Sequence, residues 1–146
     1  MKANIHYNVS GRNYKIKEVM KMGEKKDKKI LVVDDMVFTR SVVRGILKNN
    51  GYENVIEAGS AKEAVMKTVD EKPDLVILDV NLPDCDDLST LRLIYEVNPK
   101  QDVVVSSAVN QHIVINEAKN LGIRDYLVKP FTQEQFDASV KAILEE

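Results

Sequence analysis

Short apolar runs alternate with helix-period stretches from residue 30 onward, and no other feature of the sequence constrains the fold as strongly. Several runs lack a polar residue at every second position, which is typical of strands buried on both faces of a parallel sheet. Strands and helices that alternate through short links predict an α/β fold, a (βα)5 doubly wound parallel sheet with helices on both faces. The predicted strands are residues 30–33, 55–56, 75–78, 103–105 and 126–128.

The stretches between these runs carry the signals of helices. The four-residue spacing of Phe38, Val42 and Ile46, with Val43 and Leu47 alongside, predicts an amphipathic helix that ends at Gly51. Capping-box spacing predicts two further helix starts, at Ser60 with Glu three residues later and at Thr132 with Gln three residues later. Two more helices are predicted from the stripes Leu88, Leu91 and Tyr95, and Val114, Ala118 and Leu121.

The first 29 residues differ from the rest in charge. Residues 1–29 hold nine basic and three acidic residues, a net charge of +6, whereas residues 30–146 hold 12 basic and 20 acidic residues, a net charge of −8. We therefore predict a basic N-terminal extension over residues 1–29, flexible or partly helical around residues 14–22, and one domain over residues 30–146. The extension is either a solvated tail or a segment that docks on a partner or an acidic surface.

Composition excludes several classes of protein. A net charge of −2 argues against direct nucleic-acid binding through a strongly basic surface. The longest apolar runs have four residues, so neither a membrane span nor a signal peptide is expected. A single Cys rules out an internal disulfide framework and a multi-Cys zinc site, and we expect a cytoplasmic protein.

Polar residues end four of the five predicted strands. Asp34 and Asp35 follow the first strand and Asp79 follows the third. Ser107 comes just after the fourth strand and Lys129 just after the fifth. Because ligands bind outside the carboxyl ends of strands in open α/β sheets, we expect these side chains to meet at one edge.

This set of groups suits phosphoryl chemistry. Carboxylates crowded together need a cation, and oxygen-only ligands favour Mg²⁺. Lys129 and the Ser107 hydroxyl could each bind a phosphoryl oxygen. Asp79 stands between the acidic pair and these two groups, so it is the preferred acceptor of a phosphoryl group, as an aspartyl phosphate. The alternative is that each Asp only caps a turn or a helix.

Four segments carry a family resemblance: Val32-Val33-Asp34-Asp35, Leu78-Asp79-x-x-x-Pro83, Ser107-Ala108 and Lys129-Pro130-Phe131. As a set they resemble the receiver domain of two-component response regulators, over residues 30–146. Phe38-Thr39-Arg40 and residues 107–111 are most similar to chemotaxis-type single-domain regulators. The resemblance implies the flavodoxin-like strand order 2-1-3-4-5, with the first and third strands side by side.

The resemblance also implies a set of ligands and partners. Asp79 would accept the phosphoryl group from a phosphohistidine of a sensor histidine kinase or phosphotransfer protein. Asp34, Asp35 and Asp79 would hold Mg²⁺ together with the backbone carbonyl of Asn81. Apart from its own phosphorylation and dephosphorylation, no enzymatic activity is expected.

A conformational switch is implied as well. Lys129 and Ser107 would bind the phosphoryl group, and Tyr126 would turn inward when Ser107 moves. The Lys129–Pro130 peptide would be cis. An unidentified output protein would bind the face made by the fourth helix, fifth strand and fifth helix, where Ile113 and Ile115 fall outside the core stripe.

One loop departs from the family pattern. The usual Gly after the Pro is Asp87 here, and Asp84 and Asp86 add further acids. Leu82 and Cys85 stand where Met is usual. We expect an altered loop geometry there and retained phosphorylation.

Other functions fit the sequence less well. A haloacid-dehalogenase-like phosphatase needs a second Asp two residues after the first, where this chain has Met36. An FMN-binding flavodoxin-like protein needs a Ser/Thr-rich loop in place of the Asp pair, and a receiver that works without phosphorylation would have a broken acidic set. The chain ends after the fifth predicted helix, so output is expected through a partner unless the chain is a fragment of a larger regulator. The kinase, output target, signal, phosphoryl lifetime and oligomeric state are not predicted by the sequence.

Overall fold

The computed structural model describes residues 6–85 and 87–145. Its strands are β1 (His6–Val9), β2 (Arg12–Lys15), β3 (Lys29–Val33), β4 (Asn54–Ala58), β5 (Leu75–Leu78), β6 (Val103–Ser107) and β7 (Asp125–Val128). Its helices are α1 (Ile16–Asp27), α2 (Val37–Asn49), α3 (Ala61–Glu71), α4 (Ser89–Val97), α5 (His112–Leu121) and α6 (Gln133–Leu144). None of these helices is long and apolar enough to cross a membrane.

Strands β3 to β7 form one parallel sheet in the order β4-β3-β5-β6-β7. Counted along the chain within this sheet, the order is 2-1-3-4-5, which confirms the predicted topology. The register sets Val33 opposite Leu78, so Asp34 and Asp79 leave neighbouring strands at the same level. The backbone N–H of Asp79 also donates to the Val33 carbonyl at 2.9 Å. This pairing brings two of the predicted carboxylates together.

Helices cover both faces of the sheet, as predicted. Successive strand residues point to opposite faces, so Leu31 and Val33 pack with α3, α4 and α5, whereas Ile30 and Val32 pack with α2 and α6. Phe136 of α6 is fully buried in the second layer. Burial of a side chain of this size contributes about 2–3 kcal/mol to stability.

Helix α2 faces the sheet with only part of the apolar set predicted for it: Val43, Leu47 and Ile46 pack on the core, and Phe38 and Val42 do not. Val43 and Leu47 are buried, whereas Phe38 is 75% exposed and Val42 is 46% exposed. Apolar residues occupy more than one side of this helix, and only the side that carries Val43 and Leu47 can contact the sheet. The exposed apolar side chains Met36, Val37, Phe38 and Val42 are called the α2 patch below.

Strand β4 lies at one edge of the sheet, and basic side chains cover its open side. The Ala58 carbonyl accepts a hydrogen bond from the N–H of Asp34, directly after β3, so the alternate carbonyls of Val55 and Glu57 point away from the sheet. Arg44 donates to the Val55 carbonyl and Lys67 donates to the Glu57 carbonyl. Two outward acceptors of the edge strand are therefore already paired.

The basic extension contains more regular structure than predicted. Strands β1 and β2 form an antiparallel hairpin through Ser10 and Gly11, which both have positive φ angles. This turn type suits two-residue hairpins, but the flanking residues show no clear strand pattern, and sequence analysis missed the hairpin. The helix predicted around residues 14–22 is α1, which begins two residues later and ends five residues later.

One side chain of α1 connects the extension to the rest of the molecule. Lys25 Nζ lies 2.8 Å from Glu145 Oε1, donates to the Asn50 carbonyl at 3.3 Å and lies 5.6 Å from the centre of the Tyr52 ring. The Tyr52 hydroxyl donates to the same Glu145 carboxylate at 3.1 Å. The extension is thus attached at the end of the sheet opposite to the predicted site.

Candidate functional site

Three carboxylates gather at the carboxyl edge of the sheet. Asp34 follows β3 and Asp79 follows β5, and both are buried, whereas the neighbouring Asp35 is exposed. One carboxylate oxygen from each of the three residues lies within 4.8 Å of the others. Three negative charges this close repel one another strongly unless cations balance them.

Lys129 supplies one positive charge to this cluster. Its Nζ lies 2.6 Å from Asp34 Oδ2 and 3.0 Å from Asp79 Oδ2. Burial lowers the pKa of Lys129, but the hydrogen bonds to Asp34 and Asp79 raise it by more, so the pKa lies above its ordinary value. The ammonium therefore stays charged at neutral pH. The Lys129–Pro130 peptide is cis, as the family resemblance implied.

Backbone groups hold the remaining carboxylate oxygens of the two buried acids. The N–H of Met36 donates to Asp34 Oδ1 at 2.9 Å, and the N–H of Asn81 donates to Asp79 Oδ1 at 2.9 Å. Asp side chains often accept from a backbone N–H two residues on, which fixes both the loop and the carboxylate. The backbone of Asn81 is consequently held next to Asp79, and metal binding by its carbonyl stays a prediction.

Ser107 and Tyr126 are connected through Val109, in the segment between β6 and α5. Ser107 is fully buried, and its Oγ accepts a hydrogen bond from the Val109 N–H at 3.3 Å. The Tyr126 hydroxyl donates to the Val109 carbonyl at 2.6 Å. Burial raises the pKa of Tyr126, although a hydrogen bond with Ser107 acts in the opposite direction. The Tyr126 ring is thus already inward, 9% exposed, in this structure.

The loop that departs from the family pattern uses one of its acids for another purpose. Asp84 accepts hydrogen bonds from the N–H groups of Ala61 and Lys62, at 2.8 and 3.1 Å. These bonds hold the pKa of Asp84 below its ordinary value. The first N–H groups of a helix lack partners within the helix, so Asp84 caps α3. Asp87 has a φ of 49°, a conformation that favours glycine, and Asp86 lies outside the described residues.

Sequence analysis missed one residue that contacts the backbone of the site. Arg40 of α2 donates from Nη1 to the Asp34 carbonyl at 2.6 Å. Its Nε also donates to Glu57 Oε1 at 3.0 Å. The Phe38-Thr39-Arg40 segment was used only for the family resemblance, and a basic residue on an amphipathic helix usually lies in solvent.

The donor set fits a magnesium ion. All candidate ligands are oxygens, and hard divalent cations prefer carboxylate, carbonyl and water oxygens. The three carboxylates are close enough to share one ion, and Asp34 and Asp79 are already fixed by backbone hydrogen bonds.

Comparison with known proteins agrees with this arrangement. Residues 30–141 match the family model of the response regulator receiver domain. The chain belongs to this family. The matched residues run from β3 into α6, and the predicted family and its association with two-component signalling are confirmed.

Chemotaxis regulators are among the similar proteins. Chemotaxis protein CheY of Listeria monocytogenes is 37% identical over 107 residues, which cover 73% of this chain and 90% of that protein. A two-component response regulator from Clostridium difficile has a TM-score of 0.76 and 32% identity, and the match covers 82% of this chain and 98% of that one. A chain of the CheX–CheY–BeF3–Mg complex from Borrelia burgdorferi has a TM-score of 0.75 and 28% identity, with 80% and 88% covered.

Proposed function

We propose that this receiver accepts a phosphoryl group on Asp79 from a phosphohistidine of a sensor histidine kinase or phosphotransfer protein. A carboxylate oxygen of Asp79 attacks phosphorus, the P–N bond breaks, and its electron pair stays on the imidazole, which takes up a proton. The observation that carries this proposal is the Lys129 ammonium, 3.0 Å from Asp79 Oδ2 and 2.6 Å from Asp34 Oδ2. It supplies positive charge at the place where phosphoryl oxygens would arrive.

The carboxylates and Asn81 have a second role in this proposal. Asp34, Asp35, Asp79 and the backbone carbonyl of Asn81 would hold Mg²⁺, which neutralises the phosphoryl oxygens as charge shifts during transfer. Lys129 would move its hydrogen bonds from the carboxylates to a phosphoryl oxygen. The Ser107 hydroxyl would donate a hydrogen bond to another phosphoryl oxygen.

The same residues provide a route from Asp79 to the surface. A phosphoryl group adds close to two negative charges. If Ser107 turns toward it, the Val109 N–H loses the acceptor that it now has at 3.3 Å. The segment before α5 would then shift, and Tyr126 would shift with it through its hydrogen bond to the Val109 carbonyl. Output would follow through a protein that binds the α5–β7–α6 face, where Ile113 is 81% exposed. Ile115, which was also expected outside the core stripe, packs against the core instead.

The α2 patch offers a place for the phosphohistidine donor to dock. Its residues begin directly after the acidic pair, and Val37 and Phe38 are 66% and 75% exposed. Apolar side chains grouped at a surface are typical of protein contacts. A donor seated there could reach Asp79 without crossing the α5–β7–α6 face. One side of the receiver would thus serve input and another side output, in the cytoplasm.

Phosphorylation can be tested with a small-molecule donor. The full chain is incubated with acetyl phosphate and Mg²⁺, and its intact mass is measured. Wild type should gain one phosphoryl group, whereas Asp79→Asn should gain none. Asp84→Asn is the matched control, because Asp84 caps α3, and it should be phosphorylated like wild type. An unmodified wild type, or an equal adduct on Asp79→Asn, contradicts the proposal.

A further inference from the structure

Arg40 links α2 to the loop that carries two of the acidic residues. Its Nη1 donates to the Asp34 carbonyl at 2.6 Å, and its Nε donates to Glu57 Oε1 at 3.0 Å. The side chain is only 15% exposed. Two hydrogen bonds in different directions hold the planar guanidinium in one orientation.

Gly59 leaves the space that this contact needs. A Cβ atom at position 59 would lie 3.2 Å from Arg40 Nη1 and 3.9 Å from the Asp34 carbonyl oxygen. The φ angle of Gly59 lies outside the left-handed region, so the backbone conformation does not require glycine there. Close approach of the guanidinium to the carbonyl gives a physical reason for glycine at this position.

The Asp34 carbonyl belongs to the peptide that joins Asp34 to Asp35. The N–H of Asp34 already donates to Ala58 at 3.1 Å, and its carboxylate is held by Met36 and Lys129. Asp35 is exposed, so its position depends largely on the orientation of this peptide. A hydrogen bond to the Asp34 carbonyl therefore sets the direction in which the Asp35 carboxylate leaves the backbone.

We propose that Arg40 is a positioning residue for Mg²⁺ binding, acting through the Asp34–Asp35 peptide. This inference rests on the proposed function, since it assigns Arg40 a role in the same site. Groups that orient metal ligands without touching the metal typically change affinity by 10–100-fold when they are removed.

Arg44 provides a matched comparison within the same helix. It lies one turn further along α2 and donates to the other oxygen of Glu57 at 2.6 Å and to the Val55 carbonyl at 3.3 Å. Arg40 and Arg44 thus share a residue type, a helix and an acidic partner. Of the two, only Arg40 has a hydrogen bond to Asp34 among the described contacts.

The test is isothermal titration of Mg²⁺ into the full chain, with thermal unfolding of each variant measured alongside. Arg40→Met should weaken Mg²⁺ binding about tenfold, whereas Arg44→Met should leave it within about twofold of wild type. Arg40→Lys should recover part of the loss, because an ammonium can still donate to the Asp34 carbonyl. Gly59→Ala should weaken binding by about threefold, since the new Cβ displaces the guanidinium. If Arg40→Met does not fold, Arg40→Lys and Gly59→Ala still test the inference.

Two results would overturn the inference. One is wild-type affinity in Arg40→Met, and the other is an equal loss in Arg44→Met, which would indicate a general effect of α2. The acetyl phosphate experiment separates this inference from the proposed function. A wild type that binds Mg²⁺ and is phosphorylated, beside an Arg40→Met variant with unchanged affinity, refutes the role of Arg40 alone. A wild type that does neither refutes both.

Discussion

The extension and the receiver domain are both regular in structure, but different interactions hold them together. The receiver buries apolar side chains in two layers, one on each face of its sheet. Within the described side chains of residues 6–28, by contrast, none is buried, and Tyr14 and Ile16 are only half-buried. The hairpin has two strands, and a two-stranded hairpin on its own is marginally stable. Among the described side chains, the extension is attached to the receiver through Lys25, whereas the receiver depends on its core.

The largest loss of stability is expected from a substitution in the core of the receiver. Phe136 is fully buried and stacks on Phe131, with ring centres 5.6 Å apart. Phe136→Ala should lower the free energy of unfolding by about 4 kcal/mol, measured by urea titration. Tyr14→Ala, in the hairpin, should lower it by less than about 0.5 kcal/mol. Comparable losses in the two variants would mean that the extension shares the cooperative core.

A smaller effect is expected on the rate of phosphoryl transfer, which tests whether the donor docks on the receiver or on the extension. Phe38→Ala removes the most exposed side chain of the α2 patch and should slow phosphoryl transfer from a phosphorylated histidine phosphotransfer domain about tenfold. Deletion of residues 1–28 should change this rate less than about twofold. Acetyl phosphate should phosphorylate both variants at the wild-type rate, because it needs no docking surface.

Ile113→Ala is the control for this second experiment. Its side chain is 81% exposed but lies on α5, on the proposed output face. Transfer from the same donor should proceed at the wild-type rate. If deletion of the extension greatly slowed transfer and Phe38→Ala did not, the donor would dock on the extension and not on the α2 patch.

The smallest effect concerns the attachment of the extension itself. Lys25→Met removes the ion pair with Glu145, whose two side chains are 26% and 31% exposed. Because a partly exposed pair contributes little, the receiver should lose less than about 1 kcal/mol of unfolding free energy. Limited proteolysis within α1 should nevertheless become several-fold faster. Lys26→Met, on the exposed side of the same helix, should leave proteolysis unchanged; equal acceleration in both variants would show that Lys25 does not anchor α1.

Acid should weaken the same attachment. The hydrogen bond from Lys25, aided by that from Tyr52, holds the pKa of Glu145 below its ordinary value. A carboxylate with a lowered pKa contributes its full stabilisation above its ordinary pKa and loses it as the pH falls through the lowered value. Proteolysis of wild-type α1 should therefore accelerate below about pH 4, while the Lys25→Met variant shows a smaller pH dependence. Identical pH profiles would count against the ion pair.

The sequence predicted the receiver well because burial on both faces leaves a simple pattern. Runs such as residues 75–78 are apolar throughout, and the groups that follow them meet at one edge by the geometry of a parallel sheet. The proximity of Asp34, Asp79 and Lys129 could therefore be predicted from their positions in the chain alone. The orientation of α2 could not, since Phe38 and Val42 form as regular a stripe as Val43 and Leu47. Which stripe turns inward is decided by the sheet beneath it.

Contacts between distant segments account for the other misses. Arg40 donates to a backbone carbonyl, and because every residue has one, the sequence does not indicate which carbonyl is bound. Asp84 looked like an additional acid near the site, but it caps a helix that begins 23 residues earlier in the chain. The hairpin of the extension has a short polar sequence, and its Ser10-Gly11 turn was the only local signal.

The hydrogen bonds at the open edge of β4 protect this protein from pairing with other chains at high concentration. An open strand edge with free carbonyls is a template onto which another chain can add a strand, and this is a common first step in aggregation. Arg44 and Lys67 occupy the outward carbonyls of Val55 and Glu57. The cationic side chains also discourage a second edge from approaching. Pairing of another strand along β4 would first have to displace these two side chains.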